Sequence, residues 1–318
     1  MLLFAIFAVF ANHFFTVRSL LSLLLQTSTF IILSIGSALV LIVGGIDFSL
    51  GAEIAFSGTA VFVLAGFGVP IWLAMILAIG LGGLIGLING FLVARMRLQS
   101  FIATLGMATL LYGILGGLGD FIRSLAALSP RPLSFINPEA LGDLANKPVF
   151  VIVSHDASGT PIEVFPGISW IVIIMVLVTL FFHFVLTKTS IGRHLYLVGA
   201  NPVAARLSGV SVVRIRSLAF VLAGLLAGLT GVLLASRLVG PPGGAVGYEI
   251  LGIACAMIGG ASLLGGSGSV AGTVIGAFII STLSMGLTMM NTNNAYISLL
   301  LNGFIILGAV YLEQSRKR

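Results

Sequence analysis

Apolar residues along this chain come in long, nearly unbroken runs, without the strict alternation of a half-buried strand. A helix needs roughly 20 mostly apolar residues to cross a bilayer, and such runs recur from end to end. They are read at Met1–Ala11, Ser22–Val43, Ser49–Phe67, Ile71–Ala94, Phe101–Leu118, Ile168–Leu186, Leu218–Leu238, Ile250–Leu264, Val270–Met289 and Ala295–Leu312. The pattern predicts an all-α integral membrane protein of about ten transmembrane helices, a single transmembrane domain over residues 1–318. The first run is short. It is either clipped at the start or continues past His13 to Val17, and a cleaved signal peptide would want a positive stretch before the apolar one. Charges and prolines interrupt the rhythm from Asp120 to Pro166, so an extramembrane excursion is expected at about 120–167. Within it, Val149–Val153 and Pro161–Val164 flank the turn-forming His155–Gly159 as a small hairpin would.

Composition sharpens this picture. Of 318 residues, 58% are hydrophobic and 8% charged, with a mean hydropathy of +1.21. Soluble domains carry about a quarter charged residues, so an ordinary cytosolic enzyme and a disordered chain are both excluded. The 41 glycines fit closely packed membrane helices, and a single cysteine, Cys255, excludes a disulfide framework and a multi-cysteine metal site. The net charge of +6 is no argument for nucleic acid, because composition does not gather the cations into a patch. The cations do orient the spans. With a cytosolic N-terminus, Arg95, Arg97, Lys188, Arg193, Arg206, Arg214, Arg216, Arg316, Lys317 and Arg318 fall inside, against five outside, as the positive-inside rule prefers. Both termini are then cytosolic and the 120–167 excursion is extracytoplasmic.

Two segments carry candidate chemistry. Gly44-Gly-Ile-Asp-Phe-Ser-Leu-Gly51 places a carboxylate in an apolar run, where a charge costs at least about 2.5 kcal/mol and by default marks function. Its glycines suggest a broken helix near Asp47, with Asp47 or Ser49 capping the next segment. A plain cap at the cytosolic surface is the alternative, and Glu53, one turn beyond Ser49, is open to the same two readings. Gly259-Gly-Ala-Ser-Leu-Leu-Gly-Gly-Ser-Gly268 is a loose echo of this stretch, by shared origin or by chance in a glycine-rich chain. The second segment, about 188–216, is predicted to be cytosolic. There Asn201 can cap a short helix with Pro202 at its first position, running to about Leu207 and stopped by Gly209. Val203, Ala204 and Leu207 would share one apolar face, suited to a cytosolic partner or to the lipid surface. No Gly-Lys-Ser/Thr phosphate loop occurs, and His13, His155, His183 and His194 are scattered without a nucleophile to serve.

The chain resembles the ribose-type permeases of bacterial ABC importers, the family that also serves galactose, xylose and related sugars. The resemblance rests on Gly44–Gly51, on Phe101-Ile-Ala-Thr-Leu-Gly106, on Gly192-Arg193, Gly199, Asn201-Pro202, Ala204-Ala205 and Ser208-Gly209, and on Gly259–Leu263 with Gly265-Gly266. It spans about Gln26 to Leu312. Departures are Phe48, Leu50, Ala200 and the long excursion. The resemblance implies a multi-pass subunit of the bacterial inner membrane that is not itself an enzyme. Such a subunit forms the translocation path for a monosaccharide or related small polar solute, as a homodimer or with a paralogue. It implies a cytosolic ATP-binding cassette ATPase that uses the ATP, an extracytoplasmic solute-binding protein, surrounding lipid, and neither a cofactor in this chain nor a nucleic-acid partner. Gly192, Arg193, Asn201, Pro202, Ala204, Ala205, Leu207 and Gly209 are then the expected ATPase-coupling residues. For the path, uncharged hydrogen-bonding groups suit a sugar that must be held weakly, and the candidates are Asp47, Ser49, Asn89, Gln99, Ser100 and Thr104. The alternative role for each is a polar contact between helices. An ion-coupled secondary transporter is the rival class, for which Asp47 and Glu53 supply few intramembrane charges.

Overall fold

The computed structural model describes residues 14–128, 139–155, 161–243 and 245–290, with Phe7, Leu300, Gly303, Phe304 and Gly308 besides. Most of the first and last predicted spans, Met1–Ala11 and Ala295–Leu312, therefore lies outside the described residues. Six described helices are long and apolar enough to cross a membrane: α1 (Val17–Ile42), α3 (Ile71–Gly90, continued as a π-turn over Phe91–Arg95), α4 (Ser100–Leu128), α6 (Trp170–Lys188), α9 (Val212–Leu238) and α11 (Val270–Met289). Two shorter apolar helices, α2 (Leu50–Gly66) and α10 (Tyr248–Ile258), lie among them. α10, with 11 residues, rises only about 16 Å, so the span predicted at Ile250–Leu264 is half helix and half glycine-rich turn.

α1 and α9 form the centre. Both are buried along most of their length, and α9 packs on α1, α2 and α3. Its fit to α3 is made by glycines spaced four apart. Gly82, Gly86 and Gly90 face Gly224, Gly228 and Ser217, and a methyl group at Gly82, Gly86 or Gly224 would run into the opposing backbone. Such close approach gives dispersion contacts their full value where lipid supplies no hydrophobic drive. α3, α4 and α6 carry the exposed Trp72, Ile76, Leu105, Leu110, Leu177 and Phe181 on the periphery, as lipid-facing helices do.

Boundaries shift where capping outweighs hydropathy. α1 begins at Val17 because Thr16 accepts the Ser19 N–H at 3.2 Å, and Phe14 and Phe15 form a turn, so an earlier helix does not continue through Val17. α4 carries Asp120 on its helix and runs on to Leu128, into the stretch expected to be excursion. The excursion itself holds α5 (Glu139–Asn146) and three strands, β1 (Pro148–Val149), β2 (Ile152–His155) and β3 (Pro161–Phe165), and β4 (Ile168–Ser169) follows at its edge, where a span was expected to begin. β2 pairs antiparallel with β3 and β1 with β4, so the hairpin forms with its first strand three residues later than expected, and its turn lies outside the described residues. α5 buries Leu141 and Ala145 and is stitched to the spans by hydroxyls: Ser236 donates to the Leu141 carbonyl at 2.5 Å and Ser169 to that of Leu144 at 2.9 Å.

Candidate functional site

Between α1 and α2 the chain leaves helical geometry at Val43 and regains it at Leu50. Gly44 makes the turn with φ of +74°, which a side chain would resist. Backbone groups freed by such a turn need partners when buried, and the N-terminal end of α4 provides them. Ser100 Oγ accepts the Ile46 N–H at 3.1 Å, and Thr104 Oγ1 accepts the Phe48 N–H at 3.0 Å while donating to the Ser100 carbonyl at 2.9 Å. The Phe48 and Phe101 rings meet edge to face, centroids 5.4 Å apart.

Asp47 turns inward to 2% exposure. Its Oδ1 accepts the Ser49 N–H at 2.9 Å and lies 2.5 Å from Ser49 Oγ. Ser49 precedes the first residue of α2 without capping it by a side-chain hydrogen bond; its hydroxyl faces Glu53 Oε1 at 2.7 Å instead. Ser49 thus holds the N-cap position of α2 through its backbone, while its hydroxyl is engaged with Asp47 and Glu53 and makes no side-chain cap. From α3, Asn89 directs its amide nitrogen at Ser49 Oγ (2.8 Å) and Glu53 Oε1 (3.3 Å). Glu53, Ser49 and Asn89 are fully buried.

Of the candidate path residues, the structure brings Asp47, Ser49 and Asn89 into one hydrogen-bonded cluster and uses Ser100 and Thr104 to brace its backbone. Gln99 stands apart from the cluster. It is exposed and, with Gly44, Gly45 and Ser100, lines a cavity of about 650 Å³ that Arg97, Arg206 and Arg216 also border. Glu53 belongs to the cluster as fully as Asp47, and its i+4 spacing from Ser49 was the signal that could have placed it there. Arg97 comes from a different part of the sequence than Arg206 and Arg216, and no spacing rule would have brought it to them.

The segment after α6 forms α7 (Ser190–Ala200) and α8 (Pro202–Leu207). Asn201 Oδ1 accepts the N–H groups of Val203 and Ala204, both at 3.0 Å, Pro202 opens α8, and Gly209 follows it with φ of +80°. These are the predicted caps. Of the apolar face, Val203 and Leu207 are exposed at 60% and 86%, Ala204 is half-buried, and Ala205 anchors the helix from the other side. Arg193 is exposed, and Gly192 sits where a methyl group would strike the carbonyls of Val185 and Leu186.

The glycine motifs then converge. Gly199 of α7 packs on the Ile42 carbonyl and on Gly266, whose N–H donates to Ile42 O at 2.9 Å, and Gly265 packs against Gly44. Tyr196 adds a hydroxyl bond to the Gly268 carbonyl at 2.8 Å, and burial pushes its phenol pKa up. The loose echo seen in the sequence is a physical contact.

A polar cluster buried among apolar helices long enough to cross a membrane is the arrangement of an integral membrane protein. The family described as the branched-chain amino acid transport system permease component matches residues 19–310, and the chain belongs to it. Within that family it is a ribose-type ABC transporter permease. It is 34% identical over 318 residues to the ribose import permease RbsC of Escherichia coli K12, covering all of this chain and 92% of that one. It is 33% identical over 342 residues to the xylose transport system permease XylH of the same strain, covering 96% and 87%. It is 31% identical over 319 residues to the L-arabinose ABC transporter permease AraH of Azospirillum brasilense, covering 100% and 86%. No solved structure matches.

Proposed function

We propose that this chain, as one domain of about ten spans with both termini cytosolic, forms the translocation path of a binding-protein-dependent importer for a monosaccharide. The names of its relatives support a sugar as cargo, since they import ribose, xylose and arabinose. The chain pairs with a second permease subunit, a copy of itself or a paralogue, in the bacterial inner membrane. A solute-binding protein meets the face carrying α5 and the hairpin. The solute passes the glycine break at Asp47 and Ser49, with Asn89, Gln99, Ser100 and Thr104 as its weak polar contacts. A separate ATPase hydrolyses ATP and docks on Gly192–Gly209, with α8 as the coupling helix.

The observation that carries this reading is the exposed apolar tip of α8, Val203 and Leu207, on a segment whose Gly199 meets Ile42 at the end of α1, just before the break. A partner pushing on α8 therefore has a short mechanical route to the polar cluster. Leu207→Glu alters a side chain that supports nothing in this chain, so the permease should still insert. Co-purification of the ATPase and sugar uptake should each fall at least tenfold. Unchanged uptake with full co-purification overturns the coupling role. The rival reading, ion-coupled secondary transport, would have to couple its ion at the buried Asp47 and Glu53. Uptake by this chain alone, driven by an ion gradient, would establish that reading instead.

A further inference from the structure

The hydrogens of the buried cluster do not add up with both carboxyls ionised. A serine hydroxyl has one hydrogen and two lone pairs. Ser49 Oγ lies 2.5 Å from Asp47 Oδ1, 2.7 Å from Glu53 Oε1 and 2.8 Å from Asn89 Nδ2. With the amide donating, the single hydroxyl hydrogen serves one carboxyl, and the other oxygen–oxygen contact needs a hydrogen of its own. With the amide reversed, the hydroxyl donates to the amide oxygen and both carboxyl contacts need one. In either arrangement at least one carboxyl is un-ionised.

The shortage extends beyond this hydroxyl. Asp47 Oδ2, Glu53 Oε2 and Asn89 Oδ1 are buried acceptors without a donor, and among the described residues no cation forms an ion pair with either carboxyl. Elements packed on α2 bring ionisable groups of their own: Glu249 of α10 against Gly51, Tyr112 of α4, and, beyond the break, Arg97 and Arg216 bordering the cavity with Gly44 and Gly45. The Glu249 carboxyl is occupied by the Gly247 N–H at 3.1 Å. Asp47 Oδ1 already takes a backbone N–H and suits the ionised role, whereas Glu53 has side-chain contacts alone.

We propose that this permease binds a proton within the membrane, carried on Glu53 and shared through Ser49 with the Asp47 carboxylate, so that the pair bears one negative charge. The proton closes the clamp that ties the Val43–Ser49 turn to α3 through Asn89. Losing it sets two carboxylates against one another across a single hydroxyl, and the turn separates from α3.

The proposal requires neither an ATPase nor a sugar, so the purified permease in lipid tests it apart from the transport reading. The chain has only nine Asp and Glu residues, few enough for infrared assignment. At neutral pH the wild-type spectrum should hold the carbonyl band of a buried un-ionised carboxylic acid. Glu53→Gln should remove that band and Glu249→Gln should leave it. The wild-type Tm should fall as the pH is raised from neutral to alkaline, since the proton that closes the clamp is then withdrawn. Glu53→Gln, which keeps a neutral donor in place, should abolish that fall. Should Glu53→Gln fail to fold, the wild-type band and its loss at alkaline pH still decide. Absence of the band at neutral pH, its persistence in Glu53→Gln, or a Tm that responds to sodium and not to pH overturns the proposal.

Discussion

Two glycine-rich turns meet near the base of α7, and they are built in opposite ways. The turn at Val43–Ser49 is held by side chains: Ser100 and Thr104 take its N–H groups, and Asp47, Ser49, Glu53 and Asn89 lock its exit. The turn at Gly259–Ser269 is held mainly by backbone. Ala261 bonds to Ala256 at 2.9 Å, Ser262 to Ser267 at 3.1 Å, and Gly260, Gly265, Gly266 and Gly268 all take positive φ. Similar strings of glycine and small polar residues thus serve two purposes. Where a carboxylate is present, the turn is a polar site. Where it is absent, the turn is a close-packed joint onto which α11 and the first turn fit. The difference predicts that the second turn fails by steric overlap and the first by loss of hydrogen bonds.

The largest effect should come from the joint. Gly259 and Gly272 bring the backbones of α10 and α11 together, and a methyl group at either would overlap the other. Gly259→Val should cost about 3 kcal/mol, the upper end of the overpacking range, read as loss of folded permease in a thermal unfolding assay, with uptake lost alongside. A stable, folded Gly259→Val protein would show the joint to be loose.

At the polar turn the fold should survive and transport should not. Asn89→Leu keeps the volume but removes the donor to Ser49 and Glu53, and unsatisfied buried partners cost about 1–3 kcal/mol. Uptake should fall by at least tenfold while the permease still assembles. Thr104→Val deletes the acceptor of the Phe48 N–H, a single neutral bond worth about 1 kcal/mol. A several-fold loss of uptake with a near-normal Tm is expected. If both variants transport normally, the turn is structural only.

The comparison also marks where sequence reading runs out. Hydropathy located every long described helix, because each is apolar over enough residues to show in one dimension. The caps of α8 were legible for the same reason: Asn201, Pro202 and Gly209 act within a few residues of themselves. Asp47 was visible as a lone charge, and Ser49, Asn89 and Thr104 were sound candidates as polar groups in apolar runs. Their partnership was not visible, since Ser49–Asn89 and Phe48–Thr104 join residues 40 and 56 apart in sequence. α10 was read too long because glycine is nearly neutral in hydropathy and extends an apolar run that the backbone has already left. The contact of the two turns depends on how α1, α7 and α10 pack, which no local pattern encodes.

The smallest effect should fall on Tyr196, whose hydroxyl ties the second turn to α7. Tyr196 donates to the Gly268 carbonyl from a half-buried ring that packs against the main core cluster. Tyr196→Phe keeps the ring and its packing and removes only the hydroxyl, so the cost should be about 0.5–1.5 kcal/mol. The backbone bonds of the turn remain, and assembly with the ATPase should be unchanged because the exposed tip of α8 is untouched. If α7 acts as a lever between α8 and the two turns, sugar uptake should drop about twofold to fivefold while ATPase co-purification stays at the wild-type level. That magnitude follows from losing part of one bond at about tenfold per 1.4 kcal/mol. Uptake equal to wild type would mean that movement of α8 reaches the turns through the Gly199 contact alone, and a Gly199→Ala variant would then carry the whole effect.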